Sequence, residues 1–136
     1  MAKKKSRRRI EYHRFKDFKQ VAISFYEGAK IAQEFDYQQA AGLLIIHSAI
    51  AFADAITVKL RSEKCTGENH YEIINLLEET VPQSKERDQS IKHFKILIDH
   101  KNLVSYTGDI YYKKDVDKLL KHFERFFNWA NTILEQ

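Results

Sequence analysis

Cysteine is nearly absent from this chain. Cys65 stands alone, so no disulfide can form within the chain and no cysteine-rich zinc site exists. That scarcity fits a reduced, cytoplasmic setting. Proline and glycine are also scarce, at one and four residues among 136, which excludes collagen-like, low-complexity and turn-rich all-β chains. Long hydrophobic runs are missing. The most apolar stretch, residues 40–56, is broken by His47, Ser48 and Asp54 and falls short of the ~20 apolar residues of a bilayer crossing. No apolar segment follows the basic start, so neither a secretory signal nor a membrane partner is expected. There is no Gly-x-Gly-x-x-Gly, no Gly-Lys-Ser/Thr and no His-Glu-x-x-His. His93 and His100 lie two helical turns apart and could share a face, but two histidines make an incomplete metal site. No metal and no cofactor is expected.

What remains is a helix-former's composition. Hydrophobic residues are 43% and charged residues 31%, enough for one domain that buries roughly two-thirds of its unfolded surface. The formal charge of +4 is unevenly placed. Lys3, Lys4, Lys5, Arg7, Arg8 and Arg9 supply six of the 23 basic residues, and residues 10–136 then hold 17 basic against 19 acidic side chains. The expected division is an unstructured basic arm over residues 1–9 and one helical domain over residues 10–136. Such an arm either neutralises nucleic-acid phosphates or simply solubilises the chain.

Helical periodicity is the strongest signal. Phe15, Phe18, Ala22, Phe25, Ala29 and Ala32 are spaced alternately by three and four, one apolar stripe of a helix over residues 11–34. Residues 35–37 form a corner. A second helix over residues 38–61 is apolar nearly all round, which places it at the centre of a bundle. Residues 62–68 read as a loop. Asn69, with Glu72 three residues on, has the pattern of a capping box for a third helix that ends at Val81-Pro82. Ser84 caps a fourth helix running to about residue 106. Residues 110–112 form an extended connector, and a last helix opens near Asp115. No segment reads as a strand. Short connections favour antiparallel neighbours, so the predicted fold is all-α, an up-and-down bundle of four to five antiparallel helices.

Polar residues in three segments interrupt this pattern. His47 and Asp54 sit two turns apart on the apolar second helix. A buried carboxylate is costly unless paired, so each is either a satisfied core group or support for a site. His70 lies in the first turn of the third helix, where capping alone would explain it. Lys101, Asn102, Ser105 and Tyr106 close the fourth helix, with 101 and 105 on one face and 102 and 106 on another. A solvated helix end, with Lys101 answering the helix dipole, is the simpler reading. Lys113, Lys114, Lys118 and Lys121 form a further basic patch, beside Tyr111 and Tyr112, which could stack on bases or merely pack.

The segments His47-Ser-Ala-Ile-Ala-Phe-Ala-Asp-Ala-Ile56, Gly67-Glu-Asn-His-Tyr71 and Lys101-Asn-Leu-Val-Ser-Tyr106 resemble, in order and spacing, the small bacterial branch of the HEPN-domain family. The resemblance covers residues 15–134. It implies a helical bundle that works as a homodimer and binds RNA or nucleotides through Lys101, Asn102, Ser105, Tyr106, Asp54, His47 and His70. Catalytic members resemble one another in an Arg-x(4–6)-His motif at the late helix, which forms a metal-independent ribonuclease site across the dimer. Here Lys101 stands for the arginine and Tyr106 for the histidine. Tyrosine, with a pKa of about 10, is a poor proton acceptor at neutral pH where histidine at about 6.5 is a good one. Lysine lacks arginine's bidentate fork. The resemblance therefore implies binding with little or no catalysis. A degenerate toxin, defence or RNA-processing ribonuclease using Lys101, Tyr106 and His70 is the alternative. A purely structural bundle, with a partner such as a nucleotidyltransferase-like antitoxin, is a third reading.

Overall fold

A computed structural model describes residues 6–67 and 69–136. Its elements, in chain order, are strand β1 (Arg7–Arg9), a 3₁₀ turn (Tyr12–Arg14), helix α1 (Phe15–Glu34), helix α2 (Gln38–Arg61), strand β2 (Glu63–Cys65) and helices α3 (Tyr71–Thr80), α4 (Lys85–Ser105) and α5 (Lys113–Leu134). The fold is an all-α helical bundle with a small two-stranded ribbon beside it.

Helix α2 is the axis. It touches each of the other four helices, and residues 48–58 are all buried. Its 24 residues are long and apolar enough to cross a membrane, which the apolar run of residues 40–56 by itself is not. That apolar surface is spent on its neighbours instead. Phe52, Phe94, Phe123 and Phe126 are completely enclosed. Tyr26 stacks on Phe123 at 5.0 Å between ring centres, and Phe52 meets Phe127 at 5.0 Å. Each such burial stabilises by about 1.5–3 kcal/mol. Gly42 lets α4 and α5 approach closely, since a Cβ there would meet Val104 Cγ2 at 3.3 Å and Leu119 Cδ1 at 3.4 Å.

The corner between α1 and α2 turns at Asp36, whose φ of 64° is left-handed. Ser84 caps α4 as expected, accepting from Arg87 N at 3.0 Å. The capping box expected at α3 does not form. Asn69 Oδ1 accepts from Tyr71 N at 3.1 Å, making a side-chain turn ahead of the helix. Glu72 instead accepts from Asn75 Nδ2.

The ribbon corrects two expectations at once. Residues 63–65 are not loop, and residues 7–9 are not an unstructured arm. The strands pair antiparallel, with Arg7 opposite Cys65, Arg8 opposite Lys64 and Arg9 opposite Glu63. Thr66 N donates to Ser6 O at 2.8 Å and Ile10 N to Ser62 O at 2.9 Å. Buried Ile10 anchors the incoming chain. Arg7 grips Glu79 at the end of α3 with two guanidinium bonds of 2.9 and 2.5 Å. The other end of the chain is held nearby, because Lys59 Nζ donates to the carbonyls of Ile133, Leu134 and Gln136.

Candidate functional site

The predicted polar residues come from separate elements and only some of them converge. His47 lies on α2, half-buried against the Phe25 ring at 5.9 Å. His70 sits just before α3, and Lys101 lies near the end of α4. The three are near enough for the Lys101 charge to act on both imidazoles. Burial lowers the His47 pKa and the Lys101 charge lowers it further. Burial likewise lowers His70, followed by Lys101, His47 and Lys64. Both imidazoles are therefore held neutral at pH 7 inside a positive field. A neutral imidazole accepts a proton, and a neighbouring ammonium attracts phosphate oxygens.

Asp54 lies two turns beyond His47 on α2. It is 8% exposed and its Oδ1 has no hydrogen-bond partner. Burial pushes its pKa up to about 7, opposed by the Lys64 ammonium 3.8 Å away. Asp54 is thus only partly compensated, and Lys64, from β2, is the cation that links it to His70. Sequence reading missed Lys64 because it lies in a segment without helical or strand periodicity. Its neighbour Cys65 is buried, and burial followed by Asp54 raises the thiol pKa.

The 101–106 segment splits. Lys101 Nζ lies 5.8 Å from the Tyr106 ring centre, and Tyr106 is 79% exposed. Asn102 faces solvent, and its carbonyl accepts from Tyr106 N at 2.9 Å. Ser105 turns towards a different feature, a cleft beside the α4–α5 connector.

The basic arm also divides. Arg7 is committed to Glu79, whereas Arg8 and Arg9 are exposed on the ribbon. Lys3, Lys4 and Lys5 lie outside the described residues. Within the connector, Tyr111 is buried and packs, so it is removed as a free stacking surface, whereas Tyr112 is 61% exposed.

Three of the other histidines find partners that spacing did not suggest. His93 Nδ1 lies 2.9 Å from His122 Nδ1 across the α4–α5 interface. His100 Nδ1 lies 2.6 Å from the Tyr111 hydroxyl. Burial lowers the pKa of both His93 and His122. Among the described residues, no group of three or more histidine, cysteine or acidic side chains is placed to hold a metal ion. Comparison with protein-family models, curated proteins and solved structures finds no match to this chain.

Proposed function

We propose that the protein is a HEPN-like nucleotide- or RNA-binding helical module that works as a homodimer. The sequence segments carrying that resemblance lie on α2, at the start of α3 and at the end of α4. The observation that carries the reading is that the Lys101 charge acts on both His47 and His70. A positive field with hydrogen-bonding imidazoles suits a phosphodiester or nucleotide phosphate. The exposed Arg8 and Arg9 offer further phosphate contacts.

The test is binding of a labelled single-stranded RNA and of free nucleotides to the full chain. Lys101→Ala should weaken binding about tenfold and reduce the salt slope by about 0.7, as expected for one lost phosphate contact on a single strand. Asn102→Ala should have a smaller effect in the same direction. Circular dichroism of both variants should match the parent. Unchanged binding in both variants overturns the reading.

One observation favours a second reading, a degenerate metal-independent ribonuclease. His70 and His47, held neutral beside Lys101, supply the proton acceptor that Tyr106 cannot. Folded protein that leaves labelled RNA intact over hours, at a concentration that binds it, ends this alternative.

A further inference from the structure

A second site lies at the end of the bundle where α2 begins. A cleft of about 710 Å³ opens there, within the ~300–1,000 Å³ of small-ligand sites. Its walls come from the α1–α2 corner and from the α4–α5 connector. Tyr37, Ile110 and Tyr112 line it and are 68%, 67% and 61% exposed. Three large apolar faces therefore surround one concavity instead of filling the core.

The walls are held in place before any ligand arrives. Gln39 acts as a bracket. Its Nε2 donates to Val104 O at 2.8 Å and to Asp109 O at 2.9 Å, and its Oε1 accepts from Tyr111 N at 2.9 Å. Tyr111 is fixed in turn by His100. A preformed cleft loses little freedom on binding.

Gln38, beside it, also lines the cleft and is 8% exposed. Its Nε2 donates to Asp36 Oδ1 at 2.9 Å. A carboxylate can only accept, so the amide orientation is fixed, and the group left over is the acceptor Oε1. That Oε1 is buried without a partner. The charged groups of the cleft are Asp36, Asp109 and Lys113, and the lysine is already paired with Asp117 at 2.9 Å. The cleft therefore offers aromatic faces, with the unpartnered Gln38 Oε1 enclosed just behind its surface. Ser105 lines it one helical turn from Lys101, on the same face of α4.

We propose that this cleft holds a nucleobase bearing an exocyclic amine, stacked on Tyr37 and Tyr112, with the Gln38 side chain turning outward so that its enclosed Oε1 accepts from the amine. The inference rests on the nucleotide-binding reading above and specifies where the base goes. The sugar and phosphate lead out past Ser105 towards Lys101.

The test titrates adenosine, purine riboside, uridine, AMP and short oligo(A) into the isotopically labelled full chain, followed by amide resonances. Adenosine should shift the signals of residues 37–39 and 110–112. Purine riboside, which lacks the amine, and uridine should each bind several-fold more weakly. Tyr37→Ala and Tyr112→Ala should each weaken adenosine binding roughly tenfold, the size of one lost stacking contact, and Tyr37→Phe should retain it. Unmoved resonances at millimolar adenosine, equal affinity for adenosine and purine riboside, or full affinity in both alanine variants would overturn the inference. AMP binding as tightly as oligo(A) assigns the cleft to a free nucleotide, and tighter oligo(A) binding assigns it to a strand. Oligo(A) binding lost in Lys101→Ala but intact in both tyrosine variants refutes the cleft and leaves the phosphate cluster standing. The opposite pattern supports the cleft and refutes the cluster.

Discussion

Asp54 shows most plainly how a single residue sets a condition on this fold. Its carboxyl has an ordinary pKa of 3.8 and is pushed up to about 7 when folded. The folded chain therefore binds this proton more tightly than the unfolded chain. The stability associated with it is fully present below pH 3.8 and is lost as pH rises through the window to about 7. Asp54→Asn should flatten the stability profile across that window. It should also raise stability at pH 8 by up to about 4 kcal/mol, the shift from 3.8 to about 7 converted at about 1.36 kcal/mol per unit. Urea denaturation at pH 5 and pH 8 checks this, and equal destabilisation at both values would refute it. At this scale the sequence was informative about which residues were anomalous. His47 and Asp54 stand out because polar groups on an apolar helix demand partners. It was uninformative about who the partners are. The sequence invited pairing His93 with His100, two turns along one helix, yet their real neighbours, His122 and Tyr111, come from other elements.

At the scale of elements, the five helices were readable from apolar stripes on four of them and from the nearly all-round apolar character of α2. The ribbon was not readable, for a physical reason. Arg7-Arg8-Arg9 has no alternation and opposes Lys64 with a like charge, so nothing in its pattern signals a strand. Its order derives from backbone pairing, the buried Ile10 and the Arg7–Glu79 fork. Exposed ion pairs contribute little to global stability, about 1 kcal/mol or less. Arg7→Ala should therefore leave the unfolding midpoint almost unchanged while loosening β1. Hydrogen exchange at Ile10 and Thr66, which donate to Ser62 and Ser6, should quicken by several-fold. Unchanged protection at both amides would show that the fork does not hold the strand.

For the whole molecule, the helical architecture was legible, and the placement of the polar residues was legible only in part. The apolar character of α2 foretold its central place, and Gly42 explains how closely its neighbours approach. The Lys101 cluster was foreshadowed by three separate polar segments. The tyrosine-lined cleft was not, because Tyr37 and Tyr112 are distant in sequence and line one cleft only when the corner and the connector meet. The proposed homodimer is tested at this scale. Sedimentation of the full chain at tens of micromolar should give about twice the 16.1 kDa chain mass, and a monomer there would count against a shared site.

Lys59 and Ser62 gather both ends of the described chain at the last turn of α2. The cleft lies at the first turn of the same helix, whose 24 residues span about 36 Å at 1.5 Å per residue. The bundle is thus polarised like a socket on a stem. The two ends of the described chain lie at one pole, and the cleft lies at the other. A pulling force applied between the two ends would act across one short span at the base of α2, so the cleft walls would carry almost none of it.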